Sequence, residues 1–260
     1  MKVKVNELLG KCSCNYNSDD FKDVPKSDTF FFCTIREAKY LQSQMLGTVA
    51  YDDRLFDVSS WLPMIKGNAL NWNHSYYLHA AQLSEREIGK FCRSDSGDKA
   101  WSGQMIRDAS DILLIKSQVM EDEMMFVAPR KVFSCEWRIW IANGNPVACT
   151  PYTNSFCEYE CCGGTLDGAV DFAVELGDRV YEPDDRYVVD VAFTQDGYKV
   201  VEYNAYSTSG FYDVDADELI RGTIESFDEK KSPTWNKSTQ GVEEKARDTV
   251  FSSATKKQNL

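Results

Sequence analysis

The chain has 260 residues, 43% hydrophobic and 27% charged, enough to bury a substantial core as one large domain or as two or three packed subdomains. Its formal net charge of −12 argues against broad, unspecific binding to nucleic acid or to an anionic membrane. An anionic ligand needs a local cluster of cations, or a metal ion, to overcome that field. The nine cysteines are odd in number and irregularly spaced, and MKVKVNELLGKC lacks the continuous apolar segment of a signal peptide. No run approaches transmembrane length, so free thiols in a reducing cytosol are the expected state. The segment CEYECC, carrying Cys157, Cys161 and Cys162, matches no usual zinc-ligand spacing, and neither histidine is near it.

In chain order, residues 1–28 are polar and irregular. DTFFFCTI (Asp28 to Ile35) reads as a buried strand, and REAKYLQSQM as a helix after it. Residues 47–75 carry mixed turn signals and several aromatics, and periodicity does not resolve them. SYYLHAAQL precedes SEREIGKFCRSDSGDKAWSGQMI, a short strand running into a Gly/Ser/Asp-rich loop. DILLIKSQV and MMFVAP are apolar runs, and SCEWRIWIANGNPVACTPY is a hairpin turning at Asn143-Gly144. LDGAVDFAVELGDRV places Leu166, Val170, Ala173 and Val174 at helical spacing. The strand pair YVVDVAFTQDGYKVVEYNA follows. DADELIRGTIESF then reads as a helix with Leu219, Ile220, Thr223, Ile224 and Phe227 on one face. From Lys230 onward the chain reads as a polar, mobile tail.

The strand pair poses a chemical problem. Asp190 sits among Val188, Val189, Val191 and Phe193, and Glu202 among Val200, Val201 and Tyr203, where carboxylates are costly unless their charge is offset. A three-residue loop with Gly197 left-handed pairs Thr194 with Tyr198 and puts Asp190 opposite Glu202. A two-residue Asp-Gly loop puts the acids on opposite faces instead. Facing acids repel; a divalent cation between them converts repulsion into coordination, with Asn204 adding a neutral oxygen. Oxygen-only ligands favour Mg²⁺ or Mn²⁺. An ordinary hairpin with solvated acids reads equally well at this point.

Asp190, about a dozen residues, then Glu202-x-Asn204 on paired strands resembles the magnesium-binding end of the ATP-grasp fold. FCRSDSGDKAWSG resembles that family's strand and flexible phosphate-covering loop. MMFVAPRKVFSCEWRIWIANGNPVA resembles its adenine hinge followed by a Glu-x-Arg strand and hairpin. Within the family the chain is most similar to short phage-type proteins. It bears a more distant likeness to the ATP-grasp chaperone that assembles eukaryotic translation initiation factor two. The likeness covers roughly residues 76 to 228.

The resemblance implies an α+β ATP-grasp fold, two subdomains clasping a nucleotide, behind a small N-terminal α/β segment. The expected division is 1–75, 76–128 with the phosphate loop, 129–230 with the metal site, and a tail from 231. It further implies that ATP and Mg²⁺ (or Mn²⁺) are bound, the ion by Asp190, Glu202 and Asn204. Arg93 stands where most members carry a lysine, and guanidinium can grip phosphate bidentately. Lys99 lies within the Gly97 to Gly103 loop, whose small residues let backbone N–H groups approach phosphate. Val127 and Ala128 are expected to offer main-chain groups to adenine, Lys131 to contact adenine or the phosphates, and Glu136 to accept from ribose hydroxyls. Arg138 is expected to steady the transferred phosphoryl group.

The expected activity is a ligase: Mg-ATP phosphorylates a carboxylate, and an amine or another nucleophile displaces phosphate. The alternative is a non-catalytic clasp whose ATP-bound form holds a protein partner. His74 and His79 match no part of the pattern and read as packing or surface residues.

Overall fold

Alternation of apolar and polar residues over 135–151 and 186–205 builds the larger of two antiparallel sheets, with strands β7 (Cys135–Ala142), β8 (Asn145–Pro151), β9 (Arg186–Thr194) and β10 (Gly197–Ala205). The computed structural model describes residues 2–5, 29–45, 48–99, 101–133, 135–152 and 163–228. The tail beyond residue 230 and Cys12, Cys14, Cys157, Cys161 and Cys162 lie outside them. The strand order is β10-β9-β7-β8. Asn143 and Gly144, at φ +52 and +77, close the β7–β8 turn between Ala142 and Asn145, as the Asn-Gly pair requires.

One face of this sheet is apolar: Trp137, Ile139, Ile141, Val189, Val191, Val200 and Tyr203 are buried in a single cluster. Helix α4 (Leu166–Arg179) covers it with Ala169, Ala173 and Leu176, spaced by three or four residues. Each large side chain sealed there contributes roughly 1.5–3 kcal/mol. Thr165 caps α4 by accepting from Gly168 N at 3.0 Å. The other face is divided. Trp140, Ala148 and Val188 are covered by Leu219 of α5 (Ala216–Asp228), whereas charged residues occupy the remainder.

The smaller sheet has the order β3-β6-β4-β5, from Tyr76–His79, Met124–Pro129, Lys90–Ser94 and Gln104–Met105. Met125 and Val127 point to the buried side of α3 (Ala109–Gln118), meeting Ile112 and Ile115. The apolar run DILLIKSQV is therefore helix. Asp108 starts it, accepting from Ser110 N at 2.8 Å and Asp111 N at 3.3 Å.

A third, two-stranded parallel sheet joins β1 (Lys2–Val5) and β2 (Thr29–Phe32). Helix α1 (Ile35–Ser43) follows through a capping box, in which Thr34 N donates to Glu37 Oε2 at 2.7 Å and Thr34 Oγ1 accepts from Glu37 N at 3.3 Å. The segment that periodicity left open contains α2 (Val58–Ile65), whose Trp61, Leu62 and Ile65 enter the main core. Beyond α2 the chain lies along the edge strand β10, where Leu70 N donates to Val200 O at 2.8 Å and blunts that edge.

Among the described residues no helix is long and apolar enough to cross a membrane. Cys33, Cys92 and Cys149 are free, and burial, with Glu37 and Glu87 nearby, pushes Cys33 and Cys92 up to about 12. Cys135 corrects the expectation of free thiols throughout: it is disulfide-bonded. Counting and spacing cysteines carries no information on which sulfurs the fold brings together.

Candidate active site

The charged face of the large sheet is a row running across four strands. Thr150 on β8 pairs with Arg138 on β7, Arg138 with Asp190 on β9, and Asp190 with Glu202 on β10. Asp190 does face Glu202, but by a route other than the expected turn. Thr194 pairs with Gly197, not Tyr198, and the register continues to Val200 opposite Val191. A bulge at Val201 then sets Val201 and Glu202 together against Asp190. Without that extra residue, Glu202 would stand opposite Val189 on the apolar face. Gly197 is left-handed as expected, at φ +87.

The acids are held by cations. Arg138 forks onto Asp190, Nε to Oδ1 at 2.8 Å and Nη2 to Oδ2 at 2.7 Å, with both side chains buried. Arg93 Nη1 donates to Glu202 Oε2 at 2.6 Å, and Lys99 Nζ to Glu202 Oε1 at 3.2 Å. Asn204 Nδ2 lies 3.1 Å from both Asp190 Oδ2 and Glu202 Oε1, so the two carboxylates converge on one amide. Net repulsion between the acids, the sequence expectation, is therefore replaced by a neutralised cluster.

Burial raises Asp190 and the Arg138 fork opposes it; for Glu202, burial is outweighed by Lys99 and Arg93, which hold it well below the usual range. Glu136, one step along β7, is pushed up to about 8 by burial and by the charges of Asp190 and Glu202.

Between the two sheets lies a cleft of roughly 430 Å³. The small sheet lines it with Phe91, Arg93, Lys99, Trp101 and Gly103, and the large sheet with Glu136, Tyr152, Val201 and Glu202. Lys131 also lines it, together with Phe133, Leu70 and Asn71. Asp190, Asn204 and Arg138 lie behind this wall, at 0%, 5% and 2% exposure.

Val127 and Ala128 lie inside β6, with Val127 paired to both Tyr76 and Cys92 and Ala128 to Phe91. The cleft is lined further along, at Lys131 and Phe133. Gly97 N donates to Asp57 Oδ1 at 2.9 Å, so that donor is spent within the protein. The loop root is tied to α2 again by Asp95, which accepts from Ser59 N and Ser59 Oγ, both at 2.7 Å. Gly103 does line the cleft, and its missing Cβ leaves the space that the Phe91 ring occupies, 2.3 Å from where that carbon would stand. His79 is a surface residue whose Nδ1 lies 3.0 Å from Asp122 O.

Tyr152, Leu70, Asn71 and Trp101 escaped the sequence reading. Tyr152 was reachable by cross-strand counting from the Asn143-Gly144 turn, except that a bulge between Trp140 and Ile141 shifts that count by one.

The donor set fits a hard divalent cation in kind: two carboxylates and an amide, without sulfur or imidazole. Among the described residues no cluster of three or more His, Cys, Asp or Glu side chains is gathered for a metal. Occupancy by an ion therefore requires Arg93, Lys99 and Arg138 to yield part of their hold.

Two antiparallel sheets closing on a cation-lined cleft, with paired acids on the strand row behind it, define a protein of the ATP-grasp class, as the motifs implied. Residues 41–222 match the sequence profile of the ATP-grasp domain, R2K clade family 3, and the chain belongs to that family. No curated protein matches it. Similar solved structures include the ATP-grasp ligase PsnB complexed with a minimal precursor, at 13% identity, 78% of this chain and 79% of that one, TM-score 0.48. D-alanine–D-alanine ligase from Bacillus anthracis is similar at 10% identity, 80% and 81% coverage, TM-score 0.48. C-terminally truncated Cdc123 from Schizosaccharomyces pombe is more distant, at 11% identity, 58% of this chain and 84% of that one, TM-score 0.39. The family assignment rests on the profile match, and the ATP-grasp fold implies nucleotide binding.

Proposed function

We propose that the chain is a Mg-ATP-dependent ligase that phosphorylates a carboxylate and passes the acyl group to an amine or another nucleophile. The observation that carries this reading is the meeting of Arg93 and Lys99, from the small sheet, with Glu202 and the Arg138–Asp190 pair of the large sheet. That cluster holds cations suited to phosphate and oxygens suited to a divalent ion, and each neutralises the other while no ligand is bound.

Asp190, Glu202 and Asn204 would hold Mg²⁺, which when bound supplies charge neutralisation across the terminal phosphates. Arg93 and Lys99 would exchange Glu202 for phosphate oxygens, a transfer between two anionic partners that costs little net charge. Lys131 and Glu136 line the same cleft and would bind the rest of the nucleotide, Glu136 through the ribose hydroxyls. Arg138 would stabilise charge on the phosphoryl group as it passes to the carboxylate. The step breaks the bond between the γ-phosphorus and the bridging oxygen, leaves ADP, and forms an acyl-phosphate. Attack by the nucleophile releases phosphate.

The test is ATP turnover across paired pools of carboxylates and amines. Formation of ADP that depends on both, and is abolished in Arg138→Ala, supports the ligase. Tight Mg-ATP binding without turnover, accompanied by a stable protein partner, would instead support a clasp.

A further inference from the structure

Arg138 has a second set of neighbours that the ligase reading does not use. Its guanidinium carbon lies 4.7 Å from the Tyr152 ring centre and 4.8 Å from that of Tyr212. The two ring centres are themselves 4.8 Å apart, with planes at 53°. Three nearly equal separations make a triangle, so both rings lie to one side of the cation as a V, not above and below it. Tyr212 Oη donates to Tyr152 Oη at 3.2 Å and ties the arms together.

The two arms come from different parts of the chain, and each is held. Tyr152 follows β8, lines the cleft, and donates its N–H to Glu136 O at 2.8 Å. Tyr212 sits in the loop between β10 and α5 with φ +50, a left-handed conformation that is strained for a non-glycine residue. The same loop gives Gly210 O to Arg138 Nη1 at 3.3 Å, and Phe211 anchors it against Phe32 with ring centres 5.1 Å apart. An exposed aromatic in a strained backbone, next to a buried arginine, is over-determined by these contacts.

We propose that Tyr152 and Tyr212 are positioning residues that keep Arg138 aimed at the transferred phosphoryl group while Asp190 turns to a divalent cation. The inference rests on the ligase reading of Arg138 and Asp190. Both oxygens of Asp190 accept from Arg138, and Oδ2 accepts from Asn204 as well, so an ion that draws Asp190 toward itself competes with the fork for the carboxylate. Attraction to two ring faces, together with the Gly210 carbonyl, retains the guanidinium's orientation when half of the fork is given up. The rings cover one side only, and Nη2 stands 3.8 Å from Glu202 Oε1 on the metal side.

The probe is Mg·ADP with and without aluminium fluoride, which mimics the phosphoryl group in flight and needs no acceptor. Removing the Tyr212 ring in Tyr212→Leu should weaken the fluoride complex about tenfold and leave Mg·ADP affinity within about twofold. Tyr212→Phe, which keeps the ring, should stay within about threefold of wild type. In an Arg138→Ala background, Tyr212→Leu should cost nothing further, because its effect passes through the arginine. Equal losses for both ligands, or a further loss in the double variant, would overturn the proposal. If wild type binds both ligands and Tyr212→Leu binds both as tightly, the cradle alone falls. If wild type binds no Mg·ADP, the ATP reading falls and takes the cradle with it.

Discussion

The two sheets bring opposite things to the cleft. The small sheet contributes one cation from a strand, Arg93, and one from the loop beyond it, Lys99 at φ +56. The large sheet contributes a row of paired strand residues, Arg138, Asp190 and Glu202, fixed by ladder bonds on both sides of β9. One side presents a cation on an exposed loop, and the other is preorganised to receive a ligand. The difference teaches where to look for stability and where to look for binding. Substitutions in the strand row should first be felt in folding, and those in the loop in affinity.

The largest expected effect is on the row. Asp190→Ala leaves the Arg138 guanidinium buried without its fork partner, and breaking such a pair from one side costs about 3–5 kcal/mol. Thermal denaturation should show a fall of roughly 10 °C for a chain of this size. Asp190→Asn keeps one acceptor and should cost less. A loss from Asp190→Ala no larger than that of Arg93→Ala would erase the contrast between the sheets.

Glu202 belongs to the row but is gripped from the other side, so its substitution should act with opposite signs in two buffers. Glu202→Gln is expected to weaken Mg-dependent nucleotide binding ten- to a hundredfold, on the scale of a lost charged contact. In metal-free buffer the same change releases Arg93 and Lys99 from their anion, and nucleotide affinity should rise. Calorimetric titrations with and without Mg²⁺ read both. A fall in both buffers would mean that the cations are not traded between acid and phosphate.

The contrast between strand row and loop also explains what was legible in sequence. Alternation identified the charged face of β7, and the pairing of Asp190 with Glu202 came out correctly because an extra residue was assumed on β10. That residue is real, but it sits at Val201 and not at the turn. A bulge leaves no compositional mark at Val201, which lies between Val200 and Glu202. The second bulge, in β8, hid Tyr152 by shifting the count from the turn. In the loop, the small residues signalled flexibility, yet Gly97 N is held by Asp57, forty residues upstream. No local pattern reveals a tether of that span. α2 stayed unread because Pro63 lies inside it and its other signals are mixed. MMFVAP is apolar throughout, and apolarity does not say where the ladder ends, which is at Pro129.

A pH experiment sharpens the comparison on the large sheet. Glu136 is pushed up to about 8 by burial and by Asp190 and Glu202, against an unfolded value near 4.5. Between those values the folded chain binds the extra proton, so stability from this group declines as pH rises through that window. The cost is fully present above it and absent below it. Glu136→Gln should therefore melt several degrees higher than wild type at pH 9 and match it near pH 4. A gap that is the same at both pH values would show that the difference does not come from titration.

The smallest stability effect belongs to the loop. Lys99 is 37% exposed, and its bond to Glu202 is one of two cations on that carboxylate. Lys99→Ala leaves Arg93 in place at 2.6 Å, so the acid is not stranded, and the change in folding free energy should stay within about 0.5 kcal/mol. Nucleotide affinity should nevertheless fall about tenfold, because a phosphate loses a charged donor that nothing else in the loop replaces. Chemical denaturation beside a Mg-ATP titration separates the two readouts. A Lys99 variant that loses stability in proportion to affinity would place the lysine with the fixed row, and the division between the loop and the strand row would not hold.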